Sequence, residues 1–278
     1  MGSGGAGGGV SVTCGCGREG RAEPVSRRNL LGLLAAGALL VGCSQNEQTG
    51  RSQFAVVPDE ALTQMADQAW SDMRAQTPVA SDRAAQARLE QIGWKIVEAS
   101  GRTDLAWEFV VFDRPEINAF VLPNGKVGAF KGLMDFVQDD DELAGVLGHE
   151  VGHVLARHPS ERVSQQMAVE VGVNVLQAIL SNGEYAEHAG EIAGALGMGA
   201  MYGVILPYSR NHELEADKVG VELAQRAGMD PAGAVRFFER MAAEGEKRPQ
   251  PPEVLSTHPA DGPRLAALRE AVAALPKG

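Results

Sequence analysis

One short run limits what this chain can become: His149-Glu150-Val151-Gly152-His153, inside the stretch from Asp141 to His158. The stretch reads as a helix. Asp139, Asp140 and Asp141 supply N-cap candidates and suit the positive end of the helix dipole. Leu143, Val146, Leu147, Val154 and Leu155 make an apolar stripe at helical spacing, and Pro159 is expected to close the pattern. On that helix His149 and His153 are four positions apart, so both imidazoles leave one face, about 6 Å apart along the axis. Such a pair suits two ligands of one tetrahedral zinc. Glu150 sits about 100° further round, from where its carboxylate reaches a water on the metal without ligating the metal itself. The bland alternative is two surface histidines and a solvated glutamate.

A catalytic zinc takes a third protein ligand. Glycine at 156 and histidine at 159 would extend the motif to supply one, but the chain has Ala156 and Pro159. Downstream, Ser209-Arg210-Asn211-His212-Glu213-Leu214-Glu215-Ala216-Asp217 opens another helical pattern, with Glu213 and Asp217 on one face. A glutamate completing the set, with an aspartate beside it holding a ligand imidazole, makes a sound zinc site. On the residues alone, Glu215 rivals Glu213 for that place.

Two further stretches complete a pattern: Asn118-Ala119-Phe120-Val121-Leu122-Pro123-Asn124-Gly125 before the zinc helix, and Ser256-Thr257-His258-Pro259 with Arg264 near the end. The four ordered motifs resemble the gluzincin family of the HtpX heat-shock proteases and the CAAX prenyl endopeptidases, most of all its bacterial cell-envelope lipoprotein members. The resemblance implies an α+β, mainly helical, zincin-like metallopeptidase domain with a small β-sheet bordering the cleft. It implies one Zn2+ held by His149, His153 and Glu213, with Glu150 as general base and His258 as a donor to the developing oxyanion. Asp217 would orient a ligand histidine, and Arg264 would pair with a carboxylate near the site. Asn118, Ala119 and Phe120 would form an edge strand pairing with an extended polypeptide substrate. The other histidines read more plainly: His158 as a helix C-cap donor, His212 pointing away from Glu213, His188 in solvent.

The N-terminal region carries a different signal. Residues 1–24 are Gly-rich without periodicity. Ser26-Arg27-Arg28-Asn29 then precedes an apolar run from Leu30 to Val41, too short for a stable span and of the form of a secretory signal. Arg27-Arg28 fits either a general or a twin-arginine export signal. Leu40-Val41-Gly42-Cys43 matches a bacterial lipobox, which would leave Cys43 lipidated, with an uncleaved anchor as the alternative. The expected organisation is therefore a leader and signal over 1–42, a lipidated tether over 43–57 and a zinc metallopeptidase domain over 58–278. All three cysteines lie in the first 43 residues, so no disulfide staples the domain. A net charge of −11 gives nucleic acid no electrostatic footing, and lipid rather than charge would hold the chain to a membrane.

Helices are expected over 59–75, 83–99, 162–181, 231–243 and 260–274, and strands over 105–112, 118–123 and 127–130, with Asn124-Gly125 as a tight turn. Small residues at close spacing over 187–206 fit a lid, a core helix or a membrane contact. The combined expectation is a periplasm-facing lipoprotein, placed at the outer membrane because Ser44 rather than aspartate follows Cys43. It would cleave misfolded or unassembled polypeptides, with the outer-membrane assembly machinery as a partner. The alternative is a chaperone or assembly factor whose peptidase site is gated.

Overall fold

The computed structural model describes residues 43–180, 210–247, Leu255 and 258–276. The expected leader and signal, the 187–206 segment and Ser256-Thr257 lie outside these residues. In chain order the elements are strands β1 (Cys43–Gln45) and β2 (Ser52–Phe54), helices α1 (Asp59–Gln76) and α2 (Arg83–Ser100), strands β3 (Glu108–Phe112), β4 (Ala119–Val121) and β5 (Lys126–Phe130), and helices α3 (Lys131–Phe136), α4 (Asp140–Leu155), α5 (His158–Leu180), α6 (Arg210–Arg226), α7 (Ala232–Glu246) and α8 (Gly262–Ala274). This is the mainly helical α+β arrangement with a small sheet. None of the described helices is long and apolar enough to cross a membrane.

The α4 helix is the axle. The Asp139 carboxylate accepts from Glu142 N and caps its start. Every residue from Glu142 to Leu155 is buried. A one-faced stripe was expected, but α2, α6, α7 and β4 all pack against α4. A helix enclosed in this way must satisfy its polar side chains internally. Glu142 does so through Arg240, 2.5 Å away.

The sheet has the order β3-β5-β4, so β4 is an edge strand. β4 and β5 are antiparallel, with Phe120 opposite Gly128, and join through Asn124-Gly125, where Gly125 takes φ 85°. That left-handed conformation is open to glycine at little cost. β3 pairs parallel with β5. Core residues of the sheet and of α2, α4, α6 and α7, among them Ile92, Val111, Leu147, Leu223 and Phe237, form one continuous apolar cluster.

Two features differ from the sequence expectation. Pro159 does not end a helix that runs to His158. α4 stops at Leu155, Arg157 adopts φ 56°, and α5 starts at His158 with the proline in its first turn. Proline is tolerated there because the first helical amides have no intrahelical partner. Residues 43–54, expected to be a plain tether, form a hairpin instead. Asn46 Nδ2 donates to Leu155 O at 3.0 Å and Gln53 Nε2 donates to Ala156 O. These polar side chains satisfy the carbonyls left open at the end of α4, so the hairpin docks without the apolar pattern that would have revealed it.

Candidate metal centre

α4 brings His149 and His153 to one face, and α6 lies across it. The two helices cross where Gly148 meets Gly220: a Cβ on Gly148 would stand 2.7 Å from Gly220 O. The bare crossing lets Glu213 and Asp217 of α6 reach the histidines. His149 Nε2 and His153 Nε2 are 3.1 Å apart, and each is 3.4 Å from an oxygen of Glu213. His258, just before α8, joins them, with Nδ1 3.2 Å from His149 Nε2 and 3.1 Å from Glu213 Oε1. All four residues are buried.

These spacings fit a metal. Donors about 2.0–2.1 Å from a tetrahedral zinc stand about 3.3 Å apart, close to the separations here. Imidazole nitrogens crowded together with a carboxylate in a buried space suit one ion of the zinc type. Glu213 is the carboxylate in this set. Its neighbour Glu215 accepts from His158 Nε2 at 3.0 Å on another side of α6.

The surrounding groups are equally ordered. Asp217 Oδ1 accepts from His149 Nδ1 at 2.8 Å. Arg264, buried, donates through Nε and Nη2 to Asp217, both at 2.8 Å, and its Nη1 is 2.6 Å from Glu213 Oε2. Burial works against the charge on Asp217, but the hydrogen bonds from Arg264 and His149 prevail and lower its pKa. Burial likewise opposes ionisation of Glu213, yet its three histidine partners hold it well below the usual carboxylate range. Glu150 is the contrast. Burial raises its pKa, and the neighbouring His258 and His149 only partly oppose that. A carboxylate poised upward in this way is suited to taking and returning a proton.

A cleft of about 210 Å3 opens beside these groups, lined among others by Asn118, Ala119, Phe120, Glu150, His153 and His258. His258 Nε2 is 3.6 Å from Glu150 Oε1. One ring therefore faces the ligand donors with Nδ1 and Glu150 with Nε2. The expected oxyanion donor thus lies within the donor set as well as beside the base.

Sequence reasoning missed one arm of the site. His158 is no C-cap bystander: its Nδ1 lies 2.8 Å from His153 Nδ1. The ring of His212 stacks on that of His158, with centroids 4.3 Å apart, and its Nε2 is 3.0 Å from Glu161 Oε2. Cys43 begins β1, opposite Phe54.

The chain is similar in sequence to a known peptidase family and to several of its members. The profile described as Peptidase family M48 matches residues 83–272. The mitochondrial metalloendopeptidase OMA1 of Schizosaccharomyces pombe is 38% identical over 177 residues, 63% of this chain and 50% of that protein. The beta-barrel assembly-enhancing protease of Yersinia pestis is 30% identical over 248 residues, 86% of this chain and 50% of that protein. Its Escherichia coli K12 counterpart is 30% identical over 215 residues, 74% and 42% of the two chains. The chain spans about half the length of the curated relatives it matches.

Proposed function

The chain belongs to peptidase family M48, and from that premise we propose that it is a zinc-dependent endopeptidase of the bacterial cell envelope. The observation that carries the reading is the convergence of His149, His153 and Glu213 at tetrahedral donor spacing beside the raised-pKa carboxylate of Glu150. Zinc bound there would supply a Lewis acid, acidifying a water ligand and polarising the scissile carbonyl. Glu150 takes the proton of the attacking water and returns it to the leaving amide nitrogen. Asp217, fixed by Arg264, keeps the His149 proton on Nδ1 and so leaves Nε2 free for the ion it would hold.

The substrate is an extended polypeptide laid along β4. Asn118 O and Leu122 N bond inward to β5. Of the expected Asn118, Ala119 and Phe120, the first and third turn backbone groups toward β5, so by the two-residue alternation of a strand Ala119 and Val121 face outward and are the ones that pair with the substrate. Backbone pairing tolerates varied side chains, which suits cleavage of misfolded or unassembled proteins. The beta-barrel assembly-enhancing relatives support placing that work near outer-membrane assembly. Lipid on Cys43 would hold the protein at the periplasmic face of the outer membrane, in keeping with the lipobox.

A second reading rests on His258. Catalytic zinc sites keep an open position, whereas four protein ligands close one. With His258 Nδ1 among the donors, the peptidase is latent until that ring withdraws. One experiment addresses both readings: zinc content and casein cleavage of the parent, Glu150→Gln and His258→Ala. The endopeptidase reading expects zinc in the parent and Glu150→Gln, with cleavage lost in the latter by about 100-fold or more. Faster cleavage by His258→Ala marks a latch; slower cleavage marks an oxyanion donor. A folded parent without zinc, or full cleavage by Glu150→Gln, would overturn the endopeptidase reading.

A further inference from the structure

The two histidines of α4 are supported in unequal ways. His149 leans directly on Asp217, and Asp217 on Arg264. His153 leans on another histidine. Its Nδ1 meets His158 Nδ1 at 2.8 Å, His158 Nε2 meets Glu215 Oε2 at 3.0 Å, and Arg51 Nε donates to the same oxygen at 2.8 Å. The proton positions follow once His153 offers Nε2 to the metal. Its Nδ1 then carries hydrogen and donates to His158 Nδ1. His158 must carry its own hydrogen on Nε2, and this donates to the Glu215 carboxylate. Each donor has one acceptor, and the row ends on the guanidinium of Arg51.

Arg51 holds the same unit from a second side. Its Nη1 and Nη2 donate to the two oxygens of Glu161 at 3.3 and 2.6 Å. Glu161 meets His212 Nε2, and the His212 ring covers the face of His158. His158 is therefore fixed at its edge through Glu215 and over its face through Glu161 and His212, with Arg51 common to both. The His158 ring itself is fully buried.

We infer that Arg51, on the hairpin of β1 and β2, is a positioning residue for the metal centre: through Glu215 and His158 it fixes the ring and tautomer of the ligand His153. The inference rests on the metallopeptidase reading, because it takes His153 as a ligand. It makes the segment just beyond Cys43 part of the metal's support rather than a spacer. The two arms then match in plan: each ligand imidazole ends on a carboxylate, and each carboxylate on an arginine brought from a distant part of the chain. Partners of this kind set metal affinity as well as ligand orientation.

The test compares cobalt affinity, measured by chelator competition, and the visible spectrum of the cobalt-loaded full chain. The proteins are the parent, Arg51→Met, Arg51→Lys, Glu215→Gln and Gln53→Ala. Arg51→Met should weaken cobalt binding about 10–100-fold and shift the ligand-field bands. Arg51→Lys should recover part of the affinity, since lysine keeps the charge but not the forked geometry. Gln53→Ala loosens the hairpin without touching the row, so it should lower thermal stability and leave the spectrum alone. Glu215→Gln keeps the Arg51–Glu161 pair and carries the test if Arg51→Met does not fold. Parental affinity and spectrum in Arg51→Met, or in Glu215→Gln, would overturn the inference alone. A folded parent that takes up no metal would overturn the metallopeptidase reading and this inference with it.

Discussion

At the scale of single residues, the site separates carboxylates by what surrounds them. Burial opposes the charge of each. Glu150 has His258 and His149 beside it, but they only partly offset burial and it shifts upward, while Glu213 and Asp217 have hydrogen bonds from histidines or an arginine and shift down. Glu161 belongs to the second group. Burial would raise it, but hydrogen bonds from His212 and Arg51 bring it from the ordinary 4.5 to about 2. A carboxylate with a depressed folded pKa stabilises the fold fully above its unfolded value. That contribution is lost as pH falls from about 4.5 toward 2. Glu161→Gln should therefore flatten the fall of melting temperature with pH across that window. An unchanged slope in the variant would show that the pair contributes nothing to acid stability. The sequence made His149, Glu150 and His153 legible because their meaning needs only helical spacing. His158 and Glu215 were illegible because their roles depend on Arg157, whose left-handed turn swings His158 back onto His153 instead of carrying it round a continuous helix.

At the scale of elements, the metal centre is a product of how α4 and α6 cross. A Cβ on Gly220 would stand 2.8 Å from His149 N and 2.9 Å from Gly148 C, both backbone atoms that cannot rotate away. Gly220→Ala gains about 1 kcal/mol in helix propensity but must push the two helices apart. Overpacking of this kind costs about 1–3 kcal/mol, and here it also shifts Glu213 and Asp217 relative to His149. The expected outcome is a lower melting temperature together with weaker zinc binding, read by calorimetry and chelator competition. A variant with parental values for both would mean the crossing has slack. The helices themselves were readable from periodicity, and so was the β4–β5 turn, from Asn124-Gly125. The hairpin was not, because its docking uses amides on helix-end carbonyls rather than a buried apolar face. The enclosure of α4 on every side was likewise unreadable, since it depends on elements far along the chain.

At the scale of the molecule, the metal would add one more link between parts that apolar packing and the Arg264 pairs already hold together. Its donors come from α4, from α6 and from His258 before α8, and the row through His158 reaches the hairpin. A ligand that binds only the folded state stabilises it by RT ln(1 + [L]/Kd), about 4 kcal/mol at a thousandfold excess over Kd. Chelation should thus lower the melting temperature of the whole domain in one cooperative step. The hairpin should lose amide-exchange protection along with α4 and α6, since Arg51 ties it to the same centre. Restoring zinc should return both. If chelation instead left the melting temperature unchanged, or loosened only the segment around His258, the metal would be a catalytic passenger on a fold complete without it. The histidine crowding would then be held by the protein alone.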